Sequence, residues 1–173
     1  AGYYVVNNDR VVRLASGRIV IPAALHRSLG DKNASSAVDW RGVAEFFLSD
    51  DDGRTWRKAK GYGTLPVAHT RSGLQEPGVV ELHSGVLWAW ARTDLGRQYE
   101  FFSHDGGETW SVPAPSRFTS PNSPLSMKHL PGSGRLLAIW NPAPAYETRM
   151  LIAPGGDRTP LVIATGTGAA GEW

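Results

Sequence analysis

Short apolar runs alternate with turn residues along the whole chain. Strand-like segments such as Val43–Leu48, Val86–Ala91 and Gln98–Phe102 are separated by clusters rich in Gly, Ser and Pro. The turn Ala15-Ser16-Gly17, between two apolar runs, is a typical hairpin signal. No helical periodicity continues beyond a turn or two. The pattern therefore predicts an all-β protein built from many short antiparallel strands.

An eight-residue pattern, S-x-D-x-G-x-T-W, occurs twice in this alternation. Box 1 is Ser49–Trp56 and box 2 is Ser103–Trp110, so the copies lie 54 residues apart. Each copy follows an aromatic, strand-like run. A repeat of about this length is typical of a propeller blade or a similar array element. A third copy, at Gly166–Trp173, has decayed so far that only Trp173 matches the pattern.

The residue types in the box predict a turn with an anchor. Ser and Asp side chains accept bonds from backbone N–H groups a few residues on, and Gly suits a backbone position with positive φ. Trp can pin the turn onto a neighbouring sheet. The residues given this structural role are Ser49, Asp51, Gly53 and Trp56 in box 1, and Ser103, Asp105, Gly107 and Trp110 in box 2. A calcium loop at Asp50–Asp52 is the weaker interpretation, because the expected ligand spacing is absent; no metal site is predicted.

The repeat divides the chain into three units of about four short antiparallel strands. Approximate blade boundaries are 1–62, 63–116 and 117–173, with the final strand of the last unit missing from the sequence. Propellers normally contain four to eight blades. The fold prediction is therefore about half of a six-bladed β-propeller, either as a fragment or as a chain that completes its ring with another copy. Open sheet edges at both ends favour self-association.

Composition excludes several classes of protein. The net charge is only +2 and no block of like charge occurs, which argues against a nucleic-acid partner. There is no Cys, so disulfides and thiolate zinc sites are impossible. No apolar run is long enough to span a membrane, no signal-peptide pattern opens the chain, and no glycine-rich phosphate loop indicates a nucleotide cofactor. No cofactor is predicted.

The repeated boxes resemble the Asp-box (BNR) repeats of the sialidase (neuraminidase) superfamily, which has a six-bladed propeller. Asn8–Leu14 with Ser16–Pro22 is similar to the strand-turn-strand start of a middle sialidase blade. Gln75–Leu82 and Ala91–Asp94 are similar to the segments that carry the family's active-site Glu and its second carboxylate-binding Arg. Arg158–Leu161 is similar to the segment with the third Arg. The resemblance covers nearly the whole chain and is greatest to bacterial sialidases.

The resemblance implies a segment of an exo-α-sialidase, a retaining glycosidase that removes terminal sialic acids from glycoconjugates. Sialidases use a Tyr nucleophile, which a neighbouring Glu activates, and an Asp as general acid and base. Glu76 would be the activating carboxylate, and Arg92 and Arg158 would bind the carboxylate of the sugar. Asn122 is a further candidate for the pocket, although a rigid turn at Ser120–Pro124 is the simpler interpretation. The expected ligand is a sialylated glycan or a related carbohydrate.

The sequence also departs from the family's pattern. The first Arg and the acid/base Asp are expected upstream of residue 1, and the nucleophilic Tyr downstream of Trp173. None of the five Tyr residues has the sequence context of the nucleophile. The chain alone is therefore expected to be inactive. If its parent is a sialidase, a secreted or periplasmic bacterial location is expected.

Each candidate site residue also has a purely structural interpretation. Glu76 could be a solvated edge residue, Arg92 could simply pair with Asp94 or Glu76, and Arg158 could be a plain loop residue. The alternative function is a non-catalytic Asp-box module that binds glycans or proteins. The five His residues show no metal-binding spacing and are interpreted as surface or core residues.

Overall fold

The computed structural model describes residues 2–28, 38–65, 67–142 and 158–167. Within these ranges the regular secondary structure is entirely β, which confirms the predicted fold class. The strands are β1 (Gly2–Val5), β2 (Val12–Arg13), β3 (Ile19–Arg27), β4 (Val43–Ser49), β5 (Arg57–Lys58), β6 (Gln75–Glu81), β7 (Leu87–Arg92), β8 (Arg97–Ser103), β9 (Ala114–Thr119), β10 (Ser126–His129), β11 (Leu136–Trp140) and β12 (Val162–Gly166).

The strands form three antiparallel sheets that follow one another along the chain. The first sheet has the order β1-β3-β4-β5, with β2 also paired to β3. The second has the order β6-β7-β8-β9, and the third β10-β11-β12. The order within each sheet is sequential, as expected for strands joined by short hairpins.

Two short strands, β1 and β2, form one edge of the first sheet. Val5 pairs with Ala24 of β3, and Val12 pairs with Val20, so both β1 and β2 lie along the same edge of β3. The intervening residues leave the edge as a loop that carries Arg10. The predicted hairpin at Ala15–Gly17 is present, since the N–H of Leu14 donates to the carbonyl of Arg18 at 2.8 Å.

Two apolar cores lie between neighbouring sheets, and strand β7 contributes to both. Leu87, Ala89 and Ala91 join the core shared with the first sheet, while Trp88 and Trp90 join the core that includes β10 and β11. Successive side chains of a strand point to opposite faces of the sheet. A strand buried on both faces needs apolar residues at every position, which explains the uninterrupted Leu87–Ala91 run.

Both boxes close by the same set of hydrogen bonds. In box 2 the N–H of Gly107 donates to Ser103 Oγ at 2.9 Å, and Thr109 donates to Asp105 through its N–H and its hydroxyl, at 2.9 and 2.6 Å. Trp110 Nε1 donates to the carbonyl of Gly107 at 3.1 Å. The equivalent bonds in box 1 are between 2.6 and 3.0 Å. Gly53 and Gly107 have φ of 85° and 91°, where a Cβ would be strained.

Box 2 also reaches back to the first sheet. The indole of Trp110 stacks on Phe46 of β4, with ring centroids 4.0 Å apart and an interplanar angle of 21°. Glu108 accepts from Arg57 of β5, and Arg18 donates to the carbonyl of Gly106 at 3.1 Å. The box is therefore both a hairpin turn and a contact between consecutive sheets.

The predicted third box, Gly166–Trp173, lies largely outside the described residues. Among the residues that are described, no group of three or more His, Cys, Asp or Glu side chains could hold a metal ion. The described part of the chain contains no helix long and apolar enough to cross a membrane.

Candidate functional site

A cleft of about 690 Å³ opens where the first two sheets and the segment after β9 meet. Its floor and walls combine charged groups with aromatic rings. The lining residues are Tyr3, Val5, Ala24, His26, Trp40, Arg71, Ser72, Gln75, Glu76, Arg92, Asp94 and Asn122. A concave site with a few convergent polar groups is the usual form of a ligand site.

Glu76 lies in a β-bulge at the start of β6. Gln75 pairs with Arg92 and Gly78 with Trp90, so Glu76 and Pro77 together oppose a single residue of β7. Pro77 cannot donate a ladder hydrogen bond, which favours an irregularity at this place. The φ of Glu76 is 48°, a left-handed value that is uncommon for a residue other than Gly. Such backbone strain, about 1–3 kcal/mol, clusters at functional sites.

Glu76 and Arg92 form an ion pair in the cleft. Arg92 Nη1 donates to Glu76 Oε1 at 2.9 Å, and the two side chains are only 16% and 22% exposed. The other oxygen, Glu76 Oε2, is buried and has no hydrogen-bond partner among the described residues. A buried carboxylate oxygen without a donor is unfavourable. Oε1, through its bond to Arg92, is therefore the only Glu76 oxygen with a hydrogen bond among the described residues.

Asn122 connects the two predicted carboxylate-binding arginines. Arg92 Nε donates to Asn122 Oδ1 at 2.6 Å, and Arg158 Nη2 donates to the backbone carbonyl of Asn122 at 3.3 Å. Asn141 holds the Arg158 segment, because its Nδ2 donates to the carbonyls of Arg158 and Pro160. Arg92, on the last position of β7, therefore lines the cleft, and Arg158, which precedes β12, is bonded to the cleft residue Asn122.

Arg10 lies buried behind the bulge. Its Nη2 donates to the carbonyl of Leu125 at 2.8 Å, and its guanidinium lies 5.5 Å from the centre of the Trp90 ring. Burial lowers the pKa of Arg10, and the negative charge of Glu76 opposes that effect. A Cβ on Gly78 would come within 2.3 Å of Trp90 and 2.8 Å of Arg10 Nη1, so glycine is required there.

Asp94 fixes the segment that brings Arg71 to the cleft. Its carboxylate accepts from Thr70 Oγ1 and from the N–H of Arg71, both at 2.7 Å, and from Ser72 Oγ at 3.1 Å. Burial alone would raise the pKa of Asp94, but these hydrogen bonds outweigh burial and lower it. Asp94 thus serves the Thr70–Ser72 turn, and the ion-pair partner of Arg92 is Glu76.

We use the term charged corner for Glu76, Arg92 and Asn122. An aromatic wall from the first sheet faces it, formed by the rings of Tyr3, His26 and Trp40, whose neighbouring centroids are 6.2 and 5.8 Å apart. His26 is buried, whereas Tyr3 and Trp40 are 57% and 62% exposed. The cleft therefore has a charged side and an aromatic side.

The sequence-based site prediction includes residues of the charged corner and none of the aromatic wall. Glu76, Arg92 and Asn122 line the cleft together, and Arg158 lies against Asn122. Tyr3, His26, Trp40, Arg71 and Gln75 were not predicted, because no motif marks them. One signal was available: Trp40 lies between the charged residues Asp39 and Arg41, a context typical of an exposed position.

The family of BNR repeat-like domains matches residues 4–173. The chain belongs to this family. The predicted relationship to Asp-box propellers is therefore confirmed. Among curated proteins none is significantly similar to this BNR repeat-like chain.

Several solved structures similar to this BNR repeat-like chain are sialidases. A Trypanosoma rangeli sialidase in complex with the inhibitor DANA has a TM-score of 0.66 and 20% identity over 96% of this chain and 24% of the sialidase. A leech intramolecular trans-sialidase has a TM-score of 0.59 and 21% identity over 83% of this chain and 20% of that protein. A Dyadobacter fermentans protein of unknown function has a TM-score of 0.55 and 23% identity over 75% and 32% of the two chains.

These similarities establish the fold. The three sheets correspond to propeller blades of the sialidase type, and the chain is part of such a propeller. It spans between 20% and 32% of the length of the three solved proteins. At identities of 20–23% the similarity is one of fold.

Proposed function

We propose that this chain supplies one side of an exo-sialidase active site. The observation that carries the proposal is the cluster at the charged corner, where Glu76 contacts Arg92 and Asn122 bonds to both arginines. A blade that served only as scaffold would not require a strained, mostly buried ion pair at the edge of an open cleft. The T. rangeli sialidase, which shares the fold, binds the sialic acid analogue DANA.

In this proposal the arginines bind the carboxylate of a terminal sialic acid. Arg92 already donates to Glu76 and to Asn122, so its orientation is fixed before the ligand arrives. Arg158, held through Asn122 and Asn141, supplies the second guanidinium. A planar guanidinium can make paired, charge-assisted bonds to a carboxylate, which a lysine cannot. Preorganised donors of this kind orient the anomeric carbon for attack.

Glu76 would act as the base for a Tyr nucleophile. The hydroxyl of that Tyr would donate to the carboxylate of Glu76 and pass its proton there as the phenolic oxygen attacks the anomeric carbon. The leaving oxygen would take a proton from an Asp, and water would then hydrolyse the glycosyl–Tyr bond. The Tyr and the Asp would come from other parts of a longer protein.

We call the proposed binding of the sugar carboxylate by Arg92 and Arg158 the clamp. Binding of DANA by the purified chain tests it. Ligand-observed NMR should show saturable binding, and Arg92→Lys should weaken it at least about tenfold. Arg92 bonds to Asn122 and Glu76 through two separate nitrogens, and the single nitrogen of Lys cannot span both positions and also make paired bonds to a carboxylate. Arg13→Lys is the matched control, since Arg13 pairs with Asp52 away from the cleft. Circular dichroism checks that each variant is folded. Absence of binding, or equal affinity in Arg92→Lys, would refute the clamp.

Hydrolysis of a fluorogenic sialoside tests the division of the active site. The chain alone should show no turnover, because the proposed nucleophile and acid lie in other parts of a longer protein. Light scattering on the same sample reports whether copies associate. Turnover would show that the chain or its assembly holds a complete site, and the assignment of the missing groups would be wrong.

A further inference from the structure

The aromatic wall carries a large apolar surface on a rigid support. Asp39 is bonded to Arg41 through two guanidinium contacts at 2.9 and 3.0 Å and to Arg27 at 3.0 Å. The hydrogen bond from Arg41 is the main reason that the pKa of Asp39 is well below its usual range. The carboxylate thus stays charged, and the backbone next to Trp40 stays fixed, across the ordinary pH range.

Further bonds fix Trp40 from the cleft side. Gln75 Nε2 donates to the carbonyl of Trp40 at 3.0 Å, and His26 Nδ1 lies 3.3 Å from the carbonyl oxygen of Asp39. The N–H of Leu74 donates to the carbonyl of Gly42 at 2.8 Å, which ties this segment to the residues just before β6 of the second sheet. Gln75, which bonds to the carbonyl of Trp40, directly precedes Glu76 in the chain. The segment that carries Trp40 is therefore tied to the backbone that carries Glu76.

The indole itself remains 62% exposed on this fixed backbone. Its ring contact in the described structure is with His26, at a centroid distance of 5.8 Å, which leaves its outer face to solvent. A single exposed apolar residue needs no explanation. An indole held by its neighbours, beside Tyr3 and on the rim of a cleft with a charged floor, is a preorganised contact surface.

We infer that Trp40 is a sugar-stacking platform for the neutral hexopyranose that follows the terminal acidic sugar. The inference rests on the proposed function and extends it to the second ring of the glycan. The C–H groups on one face of a pyranose are apolar and carry partial positive charge, so they pack on the electron-rich face of an indole. Within the part of the chain that the structure describes, no cation lies over the Trp40 ring, which suits a neutral sugar.

Exposure decides which part of the glycan reaches Trp40. Glu76 and Arg92 are 22% and 16% exposed, so a group that they bind is largely enclosed. A ring that rests on Trp40, at 62% exposure, keeps one side in solvent. The enclosed position suits a chain end, and the open position suits the unit through which the glycan continues away from the protein.

The test compares two ligands that differ only beyond the acidic sugar. The affinities of methyl α-sialoside and 3′-sialyllactose are measured by NMR titration against the wild-type chain, Trp40→Ala and Trp40→Phe. The wild type should bind 3′-sialyllactose about three- to tenfold more tightly than the methyl glycoside, the range expected for one aromatic stacking contact. Trp40→Ala should abolish that ratio without changing the affinity for methyl sialoside, and Trp40→Phe should restore part of it.

Trp56→Ala is the matched control, because Trp56 is also a largely exposed indole but does not line the cleft. It should leave the ratio unchanged. If the wild type binds both ligands equally, or if Trp40→Ala keeps the ratio, the platform is refuted while the clamp stands. If neither ligand binds, the proposed function is refuted, and the sugar-stacking role of Trp40, which rests on it, is refuted too.

Discussion

Trp110 and Trp56 occupy the same position in the two boxes but have different surroundings, and this difference gives a quantitative prediction. Each indole donates one hydrogen bond to the carbonyl of the box glycine, at 3.1 and 3.0 Å. Trp110 also stacks on Phe46 and lies edge-on to Phe101, with centroids 5.5 Å apart. Trp56 is 43% exposed and has no aromatic partner among the described residues.

Replacing either Trp with Ala removes the same hydrogen bond, so that contribution cancels in the comparison. Trp→Ala in a core costs about 3–5 kcal/mol, and because Trp110 is only half-buried, we expect a loss of about 3 kcal/mol in the free energy of unfolding. For Trp56→Ala we expect about 1 kcal/mol, close to the value of the hydrogen bond alone. The difference of about 2 kcal/mol measures the packing of box 2 on the first sheet.

Urea unfolding followed by far-ultraviolet circular dichroism measures both losses. With an m-value of about 2 kcal/mol/M, the midpoint of Trp110→Ala should lie about 1 M below that of Trp56→Ala. Equal midpoints, or a lower one for Trp56→Ala, would refute the claim that box 2 anchors two sheets. The experiment should be run at two protein concentrations. A cost for Trp56→Ala that rises with concentration would show that another copy covers this indole.

Three further outcomes follow from the structure. Gly78→Ala should lower the free energy of unfolding by about 1–3 kcal/mol, because its Cβ would overlap Trp90; an unchanged thermal midpoint would contradict this packing. Glu76→Gly should be more stable than Glu76→Ala by about 1 kcal/mol, since both lose the carboxylate and only Gly is unstrained at a φ of 48°; equal urea midpoints would argue against the strain. Burial would raise the pKa of Asp105, but hydrogen bonds from Thr109 and Ser103 lower it to about 2. The charged Asp105 therefore stabilises the fold above about pH 4, and this stabilisation is lost as the pH falls towards 2. Asp105→Asn should flatten the dependence of the thermal midpoint on pH in that window, and an unaltered slope would refute the role of these bonds.

The strands and turns could be predicted because their causes are local. A box closes through bonds within eight residues, so Ser103 and Asp105 identify it without any knowledge of the rest of the fold. The double-faced burial of β7 likewise follows from an apolar residue at each position from Leu87 to Ala91. The start of β6 has no such local cause. The strand begins at Gln75, ahead of the apolar residues Val79 and Val80, because the bulge at Glu76 extends the pairing through polar residues.

The site could be predicted only where residues resemble a family motif. Glu76 and Arg92 are 16 positions apart in the chain and adjacent across β6 and β7, a pairing that antiparallel strands produce. The bond between Asn122 and Arg92 spans 30 positions and depends on where a loop of the second sheet turns. The aromatic wall depends on contacts between Tyr3, His26 and Trp40, whose sequence context carries no common pattern.

The backward contact of box 2 has a consequence for synthesis on the ribosome. The box is the last hairpin of its sheet, and Trp110 and Glu108 bind Phe46 and Arg57, which are made more than fifty residues earlier. The second sheet can therefore dock onto a surface that has already emerged, at the moment its own final hairpin closes. Such a chain can fold one blade at a time, although the buried Arg10 reaches its acceptor only after Leu125 has been made. Ring closure, which joins the first blade to the last, is the single step of a propeller that has to await the complete polypeptide.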